Sequence, residues 1–209
     1  MSDYITEKTK LNTKETFQKN YLDLGTGDGR FVVKSAQKHP ENLYIGIDPA
    51  KNIEIYQREI NRKKLKNAVL IQTSVENFDF HKYQDFFSGI TIILPWGNLL
   101  KYVSECNSTF FANISSILKS ESECLIIFGY EEELETSETK RLNLPELNQE
   151  NLEVLKKSYN TLSNFNLIKF TKVNPTEVKK INSTWAKKLT FRDNILSRRP
   201  YFEIVLKKH

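Results

Sequence analysis

The chain has 209 residues, with 31 Lys or Arg against 26 Asp or Glu and a formal net charge of +5. That length suits a single α/β domain with a sizeable core, running over 1–209 with no visible linker. No apolar run approaches the ~20 residues of a membrane span, and the N-terminus carries Asp3, Glu7 and several lysines where a signal peptide needs an apolar stretch. A cytoplasmic protein with no membrane partner is therefore expected. Cys106 and Cys124 are far apart with no CxxC and no His beside either, and His39, His81 and His209 are scattered, so neither a disulfide framework nor a metal site has support.

The first predicted strand ends in Asp23-Leu24-Gly25-Thr26-Gly27-Asp28-Gly29, and a helix-compatible stretch from Phe31 to His39 follows. Glycines at every second position allow a sharp turn and the close approach of a ligand. A dinucleotide fingerprint would place its third glycine at position 30, which is Arg30. The G-x-G-x-G spacing after an acidic strand end instead suits S-adenosylmethionine (SAM), with a plain strand-to-helix turn as the alternative. After Pro40, the run Leu43-Tyr44-Ile45-Gly46-Ile47 ends in Asp48 and Pro49, which places a carboxylate where it can accept both ribose hydroxyls of a nucleoside. A helix from Ala50 to Lys64 and a strand from Val69 to Thr73 lead to Ser74-Val75-Glu76-Asn77, with Glu76 placed for the adenine side. Surface loop acids are the plain alternative for Asp48 and Glu76 taken singly.

The fourth strand contains Thr91-Ile92-Ile93-Leu94-Pro95-Trp96-Gly97-Asn98. Pro95 stops the strand, so Trp96 has left the ladder and its indole is available to stack on a base. A second tryptophan stands in Ser183-Thr184-Trp185-Ala186-Lys187-Lys188. Both could instead be core residues, the usual place of large aromatics. The acidic segment Glu131 to Glu138 is expected to be a solvated helix or lid.

Charge is concentrated late in the chain. Between Lys172 and Lys208 stand ten Lys or Arg against Glu177, Asp193 and Glu203, a surplus larger than that of the whole protein. A second cluster, Arg58, Arg62, Lys63, Lys64 and Lys66, closes the second helix, where lysines also complement the helix dipole. Two basic clusters beside a cofactor motif favour a phosphate-rich partner.

Together, Asp23-Leu-Gly-Thr-Gly-Asp-Gly-Arg30, Ile45-Gly-Ile-Asp-Pro49, Leu94-Pro-Trp-Gly97 and Ser183-Thr-Trp-Ala-Lys-Lys-Leu189 resemble the aminoglycoside-resistance 16S rRNA methyltransferases of the kanamycin–apramycin type, from Tyr21 to Lys207. The resemblance implies a Rossmann-like class I SAM-dependent methyltransferase fold, a seven-stranded, mostly parallel sheet in which Tyr201 to Lys207 is an antiparallel strand beside Leu167 to Val173. It implies methylation of N1 of adenine 1408 in helix 44 of 16S rRNA, within the assembled 30S subunit; a monomer is expected. By the same resemblance the cofactor contacts are Asp23, Gly25, Thr26, Gly27, Asp48, Pro49, Glu76, Leu94, Asn98 and Ser183. Trp96 and Trp185 clamp the flipped adenine. Arg58, Lys63, Lys64, Arg141, Lys188, Arg198 and Arg199 dock on rRNA, and Glu135 lies in a loop that helps hold the nucleotide. The chain departs from the family in a shorter segment before Tyr21, a glycine-free turn between Lys64 and Val69, and an insertion at Asp193 to Ser197.

Adenine N1 carries an available lone pair, so methylation there needs no general base, in keeping with the lack of a Cys or His pair placed as one. A transferase acting on the exocyclic amine would carry an Asn/Asp-Pro-Pro-aromatic run instead of Leu94-Pro95-Trp96-Gly97. Gly25 to Asp48 with His39-Pro40 also resembles tRNA guanine-N7 methyltransferases, but those have a basic Pro-Trp-Pro-Lys-like run where this chain has Gly97-Asn98-Leu99-Leu100. A SAM-binding domain without catalysis is the reading from a different class.

Overall fold

The computed structural model describes residues 17–184, 186–188 and 199–209. In chain order these form β1 (Asn20–Leu24), α1 (Arg30–Lys38), β2 (Leu43–Asp48), α2 (Glu54–Lys63), β3 (Ala68–Gln72), β4 (Phe87–Ile93), α3 (Gly97–Ser104), α4 (Ser108–Ile117), β5 (Leu118–Phe128), α5 (Thr136–Leu142), α6 (Gln149–Asn160), β6 (Phe165–Val173), α7 (Pro175–Lys180) and β7 (Tyr201–Lys208). The strands make one seven-stranded sheet in the order β3-β2-β1-β4-β5-β7-β6. All neighbours from β3 to β5 run parallel, and β7 lies antiparallel between β5 and β6. The expected pairing of the last strand holds, with Leu167 opposite Leu206 and Val173 opposite Tyr201.

β1 is an interior strand between β2 and β4, and its Leu22 and Leu24 are buried on a sheet covered from both faces. On one face α1 presents Val32, Val33 and Ala36 to Ile60 of α2 and Ala68 of β3. On the other, Leu99, Leu100 and Val103 of α3 and Phe110, Phe111 and Ile114 of α4 join the main core with Tyr159 of α6. α1 ends at Lys38 because the residue before Pro40 is pushed out of the helical region, and His39 is found at φ −131°.

Helix α2 is shorter than its sequence suggests. Asp48 takes the backbone N–H of Ala50 at 2.8 Å, which holds Ala50 extended at ψ 140°. A single 3-10 turn, Lys51–Ile53, then precedes the α-helix. The helix closes on Lys64 in the left-handed conformation, φ 51°. β4 also begins earlier than its motif, at Phe87. Because β1 has β2 on one side and β4 on the other, the chain connections diverge above its carboxyl end, the position where open α/β sheets form a ligand crevice.

Candidate active site

Asp23 lies at the carboxyl end of β1 and is 5% exposed. Burial pushes its carboxyl up to about 6, a rise that the hydrogen bond from Thr91 only partly offsets and that the nearby Asp48 charge increases. Thr91, opposite Asp23 on β4, donates its hydroxyl to Asp23 Oδ1 at 2.5 Å. Among the described residues no cation pairs with this carboxylate, and the α-ammonium of an amino-acid moiety would supply that chemistry.

The glycine turn sits on the end of β2. The N–H groups of Gly25 and Thr26 both donate to the Ile47 carbonyl, at 2.9 and 3.0 Å. Gly25, Gly27 and Gly29 all have positive φ, but they serve different ends. A Cβ on Gly29 would come within 2.4 Å of Leu70, whereas one on Gly27 would meet nothing within 4 Å. Gly29 is thus a packing glycine and only Gly27 borders open space. The Gly27 N–H donates to Asp48 Oδ2 at 2.8 Å. With Ala50 on Oδ1, both Asp48 oxygens are fixed by backbone, and each keeps a lone pair for a ribose hydroxyl. Burial raises the Asp48 pKa against these two bonds. Thr26 is buried and Pro49 exposed beside this carboxylate.

Glu76 crosses from the end of β3 to the far side of the crevice, where its Oε1 accepts Asn98 Nδ2 of α3 at 2.9 Å. Burial favours protonation of Glu76, but hydrogen bonds from Asn98, backbone, Ser74 and Tyr102 outweigh it and hold the pKa below its usual value. Two expected cofactor contacts, 22 residues apart in sequence, thereby touch each other.

The β4 exit is strained. Leu94 adopts φ 50°, costly for a branched residue and characteristic of sites where geometry is functional. Its side chain is 4% exposed and packs with Ile93, Ile127, Val178 and Tyr201. Of Leu94, an expected cofactor contact, the backbone is therefore the part left to meet a ligand. Trp96 then projects with 45% of its surface exposed, which removes the core alternative for this residue. Its partner Trp185, like Arg198, lies outside the described residues. Ser183 opens a short helical turn, its Oγ accepting the Ala186 N–H at 3.4 Å and its carbonyl the Lys187 N–H at 3.3 Å.

The basic residues divide. Arg58, Lys64 and Lys188 are exposed, and Lys63 is exposed while paired to Glu59 at 2.9 Å. Arg199 is not a surface cation. Its side chain is 6% exposed and its NH2 lies 2.5 Å from Glu135 Oε1, so the structure corrects its expected place among outward docking groups. Arg141 forks onto Glu138, with Nε to Oε2 at 2.9 Å and NH2 to Oε1 at 2.8 Å.

The acidic stretch is also corrected. Glu135 and Glu138 are both 9% exposed, since they stand three residues apart at the start of α5 and face inward, while Glu132 and Glu133 stay outside. Thr91 and Glu138 were missed from the sequence, as a threonine in an apolar strand and one acid among many carry no distinguishing mark.

A doubly wound sheet in the order β3-β2-β1-β4-β5-β7-β6 with β7 antiparallel is the fold of class I SAM-dependent methyltransferases. The family model for NpmA, 16S rRNA (adenine(1408)-N(1))-methyltransferase, matches residues 4–198. The chain belongs to that family. It is 33% identical over 183 residues, 84% of its length and 82% of the relative's, to a 16S rRNA (adenine(1408)-N(1))-methyltransferase of Escherichia coli. Among solved structures it is similar to a 30S ribosomal A1408 methyltransferase from an uncultured bacterium, at 35% identity and TM-score 0.63 over 95% of this chain and 90% of the other. It is similar also to the aminoglycoside resistance methyltransferase NpmB1, at 26% identity and TM-score 0.70 over 93% and 89%. A tRNA (guanine-N(7)-)-methyltransferase of Mycoplasmopsis pulmonis is 27% identical over 131 residues, 55% of this chain and 62% of that protein.

Proposed function

We propose that this chain, working as one domain and as a monomer, transfers a methyl group to N1 of adenine 1408 of 16S rRNA in the assembled 30S subunit, and that the modification gives aminoglycoside resistance. The family match over nearly the whole chain carries this reading. SAM, when bound, supplies an electrophilic methyl on a sulfonium. Asp23, Asp48 and Glu76 hold the cofactor, with Gly25, Thr26, Gly27, Pro49, Asn98, Ser183 and the Leu94 backbone around it. The half-exposed indole of Trp96 offers a face for the flipped base, with Trp185 as the second wall. Stacking on one aromatic contributes ~1–3 kcal/mol, enough to offset much of the few kcal/mol of unstacking. The product base is cationic, and indole faces favour that developing charge. With no proton to remove from N1, positioning supplies the rate enhancement.

Arg58, Lys63, Lys64 and Lys188, together with Arg198, are assigned to rRNA phosphates, which position an enzyme without reading bases. Arg199 serves them only by leaving Glu135. The tRNA reading is disfavoured by Gly97-Asn98-Leu99-Leu100, which forms the start of an amphipathic helix with Leu99 and Leu100 buried. Tritium transfer from labelled SAM is the test: 30S subunits become labelled, while naked helix 44 fragments and tRNA remain poor acceptors. Preferential labelling of tRNA, or labelling of nothing, refutes the assignment.

A further inference from the structure

We infer that Glu138 is a positioning residue for Trp96, acting through the backbone of Gly97, and that Arg141 works by holding Glu138. This rests on the proposed role of Trp96 as a wall of the base clamp.

Trp96 is the N-cap of α3, in extended conformation at φ −131°, and its own side chain caps nothing. The residue before its proline, Leu94, and the residue after it, Gly97, both have positive φ, 50° and 63°. The indole is therefore carried on a short segment between two left-handed residues, and its aim depends on what fixes the start of α3. That fixing group comes from a different part of the chain. Glu138 Oε1 accepts the Gly97 N–H at 3.1 Å across 41 residues of sequence. The first N–H groups of a helix have no intrahelical acceptor, and a carboxylate there also complements the helix dipole.

Glu138 is itself held. The Arg141 fork engages both of its oxygens, and the pair keeps the Glu138 pKa below its usual value, with the Arg141 hydrogen bond as the main cause. A second link joins the same two helices, since Lys101 Nζ of α3 donates to the Leu142 carbonyl at the end of α5 at 2.8 Å. One turn before Glu138, Glu135 pairs with Arg199, in the stretch that follows Trp185 and enters β7. The start of α5 thus reaches the Trp96 segment through Glu138 and the entry to β7 through Glu135 at its N-cap. A surface lid would leave these carboxylates in water, whereas here both are buried.

The experiment has two arms. Because the chain has two tryptophans, Trp185→Phe leaves Trp96 as the only indole, and its emission and acrylamide quenching report its surroundings directly. On that background Glu138→Ala should shift Trp96 emission to the red and raise quenching, and Glu138→Gln, which retains an oxygen for the Gly97 N–H, should restore both. With Trp185 intact, kcat for 30S methylation, counted per SAM-binding site, should fall on the order of 10–100-fold in Glu138→Ala, as a misplacement of the bound base by about 1 Å does. KM for 30S should stay within about threefold, and Glu138→Gln should recover most of the rate. Arg141→Met should lower kcat by a few fold with the salt dependence of 30S binding unchanged. A raised KM and a shallower salt slope in that variant would make Arg141 a phosphate contact and overturn its role here. Wild-type kcat and unaltered Trp96 quenching in Glu138→Ala, or a Glu138→Gln protein as impaired as Glu138→Ala, would overturn the inference. If Glu138→Ala binds no SAM, Glu138→Gln and Arg141→Met decide it. If wild-type protein fails to methylate 30S, the functional reading falls while the fluorescence arm still decides the positioning.

Discussion

Replacing Asp23 by Asn should make the protein more stable and less able to bind SAM. The buried carboxyl has its pKa raised from 3.8 to about 6, and a rise of about two units corresponds to about 3 kcal/mol between its two protonation states. The direction is that of an acid whose charged form is disfavoured by folding. Between the unfolded and folded pKa values the native state binds more protons than the unfolded chain, so stability falls as pH rises through about 4 to 6 and the whole cost is present at neutral pH. Asparagine keeps an oxygen to accept the Thr91 hydroxyl, bonded at 2.5 Å in the wild type, and carries no charge. A gain of about 1–3 kcal/mol should raise the melting temperature by roughly 3–10 °C for a chain of this length, and the stability change between about pH 4 and 6 should flatten. Calorimetric titration should show SAM affinity lowered by tenfold or more, about 1.4 kcal/mol, as the ammonium loses a charged acceptor. Wild-type affinity should likewise weaken as pH drops below about 6, where Asp23 takes up its proton. Melting curves from acid to neutral pH and titrations with SAM give both quantities. A variant that melts lower at neutral pH and binds SAM normally would refute the reasoning, because Asp23 would then be a structural acid.

Asp48→Ala should weaken SAM binding while leaving the domain folded, since only the Gly27 and Ala50 N–H groups lose an acceptor; unchanged affinity by calorimetry removes Asp48 from the site. Trp96→Ala should abolish methyl transfer with SAM affinity near wild type and Trp96→Phe should retain part of the activity, whereas a loss of the ~3–5 kcal/mol typical of a buried tryptophan would contradict its exposed placement. Lys63→Glu or Lys64→Glu should cut 30S methylation sharply with SAM binding intact, and the neutral Lys64→Gln should lower the slope of binding against salt by about one contact.

The cofactor half was legible because its signals are local. An apolar run ending in an acid or a glycine turn marks a strand end, and parallel strands set successive ends side by side, so Asp23, Asp48 and Glu76 stand at or just beyond the carboxyl ends of three adjacent strands. The exposed placement of Trp96 was legible for the same reason, as Pro95 stops the strand one residue before it. The partners of these groups were not, because they depend on register and packing across long separations. Thr91 reaches Asp23 across 68 residues, and Glu138 reaches Gly97 across 41. The sequence makes Leu94 a cofactor contact without separating side chain from backbone, and only the packing shows that its side chain turns into the core. Arg199 was misread because basic composition announces charge without announcing the buried carboxylate of Glu135 beside it.

The most direct test of the central claim is reverse transcription across helix 44 of 16S rRNA after 30S subunits have been incubated with this protein and SAM. A methyl on N1 blocks Watson–Crick pairing, so the account predicts a stop at adenine 1408, absent with Trp96→Ala, together with one methyl group per subunit by mass spectrometry of the digested RNA. Read-through at 1408 from subunits that have acquired a methyl group elsewhere would contradict it, as would subunits that acquire none while tRNA is methylated in the same mixture.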